Sequence, residues 1–173
     1  YNWERLKEEG FSWWVSRFHH LFKLFDIVRI DHFRGFEACW EIPASETTAV
    51  NGSWVKVPGE DFFNVLKEEF DDLPIIAEDL GVITDEVRQL RDKFGFSGMK
   101  VLQFAFSEGA NEYRPHTYNK NCVVYTGTHD NDTTIGWFRN LSEGYTTRTQ
   151  EELKREHEFA LRYLNSDGRE INW

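Results

Sequence analysis

Apolar side chains between residues 11 and 25 fall at Phe11, Trp14, Val15, Phe18, Leu21, Phe22 and Phe25. Their spacing predicts one helix with a wide apolar face, and Ser12 is its expected cap. Residues 26–30, DIVRI, are short and β-branched and predict a strand. Residues 35–60 mix Gly, Pro, Ser, Thr and Asn with Trp40 and Trp54, which predicts a long loop of the kind that carries function. A helix is expected over 61–71, with Phe62, Phe63, Leu66 and Phe70 inward. Pro74-Ile75-Ile76-Ala77 predicts a strand led by proline. Thr84 then caps a helix that has Asp85 and Glu86 in its first turn, Val87, Leu90 and Phe94 as its stripe and Gly95 as its stop. MKVLQFAF (99–106) and CVVYT (122–126) predict two more strands. The last helix covers about 149–164. Thr149 and Glu152 form its capping box, and Leu153, Ala160, Leu161 and Leu164 its buried face. Glu151, Glu152, Lys154, Arg155 and Glu156 read as the solvated side of that helix.

Strands alternating with helices predict an α/β fold with parallel strands. An open doubly wound sheet and a (β/α)8 TIM barrel both fit that order. No glycine-rich GxGxxG or GKS turn follows a strand, which weakens the nucleotide-binding sheet.

The chain has 173 residues, enough for one domain, and 40% of them are hydrophobic. Its 20 basic and 30 acidic residues give a net charge of −10, which disfavours nucleic acid and anionic membrane surfaces as partners. No apolar stretch is long enough for a membrane span. Cys39 and Cys122 have no CxxC spacing, so a reducing, cytoplasmic setting is expected. Tyr1 stands first and Met99 is the only methionine, the pattern expected of a piece of a longer chain.

Chemistry concentrates where the strands end. Asp31-His32-Phe33-Arg34-Gly35 follows the first strand, Glu78-Asp79-Leu80-Gly81 the second, and Gly127-Thr128-His129-Asp130-Asn131-Asp132 the last. On a barrel these tips share one rim, where active sites sit. Carboxylates gathered there drive each other's pKa values apart, so one can act as an acid while another stays ionised. That pattern suits retaining glycoside cleavage, in which the two carboxyl groups lie about 5–5.5 Å apart. Arg29 and Arg34 would keep a nucleophilic Asp31 ionised. Each acid taken alone reads more readily as a helix cap or surface group, and it is the three at strand tips together that favour chemistry, whereas Trp40 and Trp54 read equally as sugar platforms or local plugs. A metal held by Asp31-His32 and His129-Asp130 is a weaker alternative, because no HxH pair accompanies them.

VRIDHFRGFEACW (28–40), PIIAEDLG (74–81), GMKVLQFAF (98–106) and VVYTGTHDNDTTIGWF (123–138) closely resemble the 4-alpha-glucanotransferases, the amylomaltase or disproportionating-enzyme family. The resemblance implies a partial (β/α)8 barrel over residues 1–173, roughly strands four to seven with their helices, cut from one catalytic domain. It implies retaining transfer of alpha-1,4-glucan chains between maltooligosaccharide donors and acceptors through a covalent glucosyl-enzyme, with no cofactor or metal. By that resemblance Asp31 is the nucleophile, Glu78 the general acid and then base, and Asp130 the carboxylate that grips sugar hydroxyls. Arg29 holds the nucleophile, His32 and His129 contact sugar, and Trp54 belongs to the loop that shapes the acceptor site. Ser97, Arg114 and Thr117 depart from the family pattern, away from these residues. Alternatives are alpha-glucan hydrolysis by the same machinery and a non-catalytic carbohydrate-binding or structural piece. Half a barrel leaves open sheet edges, so the isolated chain is expected to be inactive or to self-associate.

Overall fold

The computed structural model describes residues 1–139, 149–169 and 171, and the chain divides into two compact units, Tyr1–Met99 and Lys100–Trp173. It is an α/β structure. In the first unit α1 (Trp3–Glu8) is a short helix that buries no residue, which is why no apolar periodicity announces it. The aromatic stripe forms α2 (Ser12–Leu24). Ser12 is its first helical residue rather than its cap. The cap is Phe11, which sits in the left-handed region at φ 52° and makes no side-chain capping bond. Phe11 is instead pinned in the core, its ring 5.5 Å from that of Phe62. Phe25 lies past the helix end and is exposed rather than part of the core face.

β1 is only Val28–Ile30, bounded below by exposed Asp26 and Ile27. The region expected as a loop is partly ordered. A 3-10 turn over Phe33–Phe36 leads into β2 (Ala38–Glu41), which pairs antiparallel with β3 (Ser53–Lys56). β3 is exposed along its whole length, so no hydrophobic alternation marks it. The hairpin places Trp40 opposite Trp54, and their rings meet at 5.4 Å and 62°. Gly52 makes this possible, because a Cβ there would lie 2.6 Å from the Trp40 ring.

α3 (Gly59–Glu69) buries Phe62, Phe63 and Leu66 against β1 and β4 (Ile75–Ala77). β1 and β4 are parallel, in the register Val28–Ile75, Arg29–Ile76 and Ile30–Ala77. α4 (Asp85–Lys93) follows, with Thr84 at its cap in extended backbone but without a side-chain capping bond. Gly95, at φ +70°, supplies the left-handed stop that the sequence predicts. Ile76 then bridges in parallel to Ser97, one residue before β5 (Gly98–Val101). The apolar run 99–106 is not one strand: it tightens into a 3-10 turn over Leu102–Phe106.

β5 is joined to β6 (Cys122–Tyr125), and in the second unit α5 (Thr134–Arg139) and α6 (Gln150–Leu164) follow. The Thr149–Glu152 capping box of α6 is formed in both directions. Leu153 and Ala160 are buried as expected, whereas Leu164 is exposed. Glu156 is the larger surprise on this helix. It is 5% exposed rather than solvated, and it accepts bonds from Ser107 Oγ (3.2 Å) and Trp137 Nε1 (3.0 Å). Cys39 and Cys122 are free thiols. Among the described residues no helix is long and apolar enough to cross a membrane.

Candidate active site

The β1–β4 register builds the site in the first unit. Ile30 and Ala77 are the last paired residues, and Asp31 and Glu78 come directly after them. The main-chain ladder runs on past the strands. Glu78 N donates to the Ile30 carbonyl (2.9 Å) and Phe33 N to the Glu78 carbonyl (3.0 Å). Parallel neighbours lie about 4.8 Å apart, so the two acids leave the sheet side by side at its C-terminal edge.

Each acid has its own partner. The Arg29 guanidinium donates to Asp31 Oδ1, as the sequence suggests. Asp31 remains 74% exposed at its side chain, open to a ligand. The Glu78 carboxylate is held by main chain: His32 N donates to Oε2 (2.7 Å) and Leu80 N to Oε1 (3.1 Å). His32 reaches this position in the left-handed region, at φ 51°. Its amide serves Glu78, and its ring is exposed in the same turn. Arg34 does not serve Asp31. It is buried, donates through Nη1 to the Val82 carbonyl, and lies with its guanidinium carbon 3.9 Å from the Trp54 ring centre.

Beneath Glu78 lies a buried ion pair that the pattern of charges does not announce. Asp79 takes the Arg91 guanidinium and accepts from Met99 N (2.7 Å). Arg91 also contacts Asp92 at 2.7 Å. Burial opposes the Arg91 charge, but its bonds to Asp92 and Asp79 outweigh this and hold its pKa above the ordinary value. One signal was available: Arg91 falls four residues after Val87, on the buried side of α4. Gly98 fits only without a side chain, since a Cβ would stand 2.8 Å from Arg91 Nη1 and 3.0 Å from Asp79 Oδ2.

Asp130 and His129 lie in the second unit, in the turn after β6. They are exposed, and His129 Nε2 is 3.4 Å from Asp130 Oδ1. Asn131 Oδ1 accepts from Thr128 N (2.9 Å) and Thr128 Oγ1 (3.0 Å), and Asp130 N donates to Thr128 Oγ1 (3.3 Å). Gln103 Nε2 donates to the Asp132 carbonyl (2.9 Å), which pins the far side of the turn. Thus Arg29, Asp31, His32 and Glu78 come together in one unit, with Trp54 tied to them through Arg34. His129 and Asp130 come together in the other. No group of three or more His, Cys, Asp or Glu side chains able to hold a metal occurs among the described residues.

The 4-alpha-glucanotransferase family model matches residues 1–173. The chain belongs to the 4-alpha-glucanotransferase family. It is 61% identical over 145 residues to the 4-alpha-glucanotransferase of Thermus thermophilus, covering 82% of this chain and 29% of that protein. It is 50% identical over 175 residues to that of Clostridium butyricum, covering 100% of this chain and 34% of that protein. The amylomaltase of Streptococcus agalactiae, solved in complex with acarbose, superposes with a TM-score of 0.85 at 39% identity, over 98% of this chain and 32% of that one. The chain therefore spans about a third of the length of the family members it matches.

Proposed function

We propose that this chain carries the catalytic acids of a retaining 4-alpha-glucanotransferase, with β1, β4, β5 and β6 as strands four to seven of a (β/α)8 barrel. The observation that supports this best is the register of β1 and β4, which starts Asp31 and Glu78 from adjacent positions on paired strands. Retaining enzymes hold their two carboxyl groups roughly 5–5.5 Å apart, a separation that starting points on neighbouring strands allow. Asp31, paired with the Arg29 guanidinium, attacks the anomeric carbon of a donor alpha-1,4-glucan. The bond to the leaving oxygen breaks as Glu78 delivers its proton there, which leaves a glucosyl ester on Asp31. Glu78, now a carboxylate, takes the proton of an acceptor hydroxyl, whose oxygen displaces Asp31. Asp130 grips hydroxyls of the donor ring, and His32 and His129 contact sugar. The acarbose held by the Streptococcus agalactiae relative supports a sugar-binding cleft. On its own, half a barrel lacks the walls of that cleft and is expected to be inactive.

The test is a complete enzyme in which residues 1–173 replace the matching segment of the Clostridium butyricum relative. Maltotriose should yield glucose plus longer maltooligosaccharides. Asp31→Asn should lower this turnover on the order of 10,000-fold or more while circular dichroism stays unchanged. A 2-fluoro sugar should add its mass to the peptide that contains Asp31. Near-normal turnover by Asp31→Asn would overturn the assignment, and a product pattern of shortened chains only would favour hydrolysis.

A further inference from the structure

Arg34 joins three pieces of the first unit. It belongs to the 3-10 turn that begins two residues after Asp31. Its Nη1 donates to the carbonyl of Val82, in the loop that follows Glu78. Its guanidinium covers the Trp54 ring at 3.9 Å, on the hairpin. It is 9% exposed, and its Nε is buried without a partner. Such a costly placement for a charge needs a compensating contact, and the indole face provides one, since a desolvated guanidinium stacks strongly on tryptophan. Trp54 itself is 51% exposed. Trp40 meets it edge-on from the opposite strand, its own Nε1 tied to the Ala49 carbonyl at 3.0 Å. Trp54 therefore presents a large apolar surface to solvent, with its orientation fixed from behind. An aromatic platform of this kind matches the apolar face of a pyranose ring.

We propose that Arg34 is a positioning residue that fixes Trp54 as a stacking platform for the acceptor sugar and so sets how the glucosyl-enzyme divides between sugar and water. This rests on the reading of Asp31 and Glu78 as the catalytic pair. The acceptor is the sugar concerned because the tie runs to the loop of Glu78, the group that takes the acceptor's proton, and not to the side chain of Asp31. A sugar stacked there displaces water from the attacking position. Without the guanidinium the indole is free to turn, and water competes.

The experiment uses the same complete enzyme, once the unaltered form transfers and Asp31→Asn does not, so that failure of the catalytic assignment is seen separately. Two quantities are read: the ratio of transferred to hydrolysed chains on maltotriose, and the burst of fluoride release from alpha-maltotriosyl fluoride, whose one-atom leaving group leaves the acceptor position empty, so that it reports the first step alone. Arg34→Lys keeps the charge but not the planar stack. It should lower the transfer ratio roughly 2- to 30-fold, the range of a cation–π contact from exposed to desolvated, and leave the burst unchanged. Trp54→Leu should lower the ratio likewise, Trp54→Phe should recover most of it, and the double variant should be no worse than either single one. A normal ratio in Trp54→Leu, a burst slowed as much as transfer in Arg34→Lys, or losses that multiply in the double variant would each overturn the proposal. Trp54→Leu alters a half-exposed side chain and keeps the test decisive if Arg34→Lys fails to fold.

Discussion

Replacing Asp79 by Asn removes one charge from the ion pair beneath Glu78 at nearly constant size. The amide oxygen still accepts from Met99 N, but the amide NH2 now faces Arg91 Nη1 where an acceptor oxygen stood. Arg91 loses its buried partner. Its side chain is 10% exposed and that of Asp79 3%, so solvent replaces almost none of the lost interaction. Breaking a buried pair by removing one partner costs about 3–5 kcal/mol. Asp92 stays at 2.7 Å from Arg91 and is 62% exposed, so it retains part of the charge balance. That places the expected cost near the lower bound, about 3 kcal/mol. For a chain of this size the thermal midpoint should fall by roughly 6–12 °C. Urea unfolding followed by circular dichroism reads the same quantity. Two comparisons sharpen it. Asp85→Asn breaks the exposed contact with Arg88, at 3.4 Å, and should cost under about 0.5 kcal/mol. Adding Arg91→Met to Asp79→Asn removes the orphaned charge and should restore most of the loss. If Asp79→Asn costs no more than Asp85→Asn, or if Arg91→Met makes it worse, the pair is not what holds this part of the unit.

Two further predictions concern the second unit. Glu156→Leu should destabilise by about 2 kcal/mol, because Trp137 Nε1 and Ser107 Oγ lose their acceptor, whereas Glu151→Leu on the exposed side of α6 should change stability by under about 0.5 kcal/mol; equal effects in urea unfolding would contradict the burial of Glu156. Burial raises the pKa of the Tyr118 phenol, with smaller contributions from Cys122 and Tyr163, and its hydroxyl donates to the Tyr113 carbonyl at 2.7 Å. The folded state therefore keeps a proton that the unfolded chain releases near pH ~10. Stability should fall as pH rises from there through the raised value, and Tyr118→Phe should flatten that slope. An unchanged slope would refute the assignment.

The sequence pattern located the elements whose burial is one-sided. α2 and α4 follow their apolar stripes, and the Thr149–Glu152 box sits where two side chains can satisfy amides without tertiary help. The strand tips were legible because Asp31 and Glu78 interrupt apolar runs abruptly. The β2–β3 hairpin was not, since β3 is exposed on both faces and its connection to β2 is far longer than a tight turn. The run 99–106 carried no signal for its change from strand to 3-10 turn, because continuous apolar residues have no period to lose. Arg34, Asp79 and Glu156 were hidden for one shared reason. Charge predicts exposure until a specific partner reverses it, and each of these partners is remote in sequence: Trp54 and Val82, Met99, Trp137 and Ser107.

The two amides that grip the Glu78 carboxylate belong to the backbone of His32 and Leu80. Nineteen of the twenty coded residues would bring the same donor to either place, so the grip is inherited by the fold and not by any one side chain. Alanine scanning would pass over it in silence. Designers who recast the surroundings of this acid inherit a fixed mount, and only proline, or a peptide ester made by chemical synthesis, would take it away.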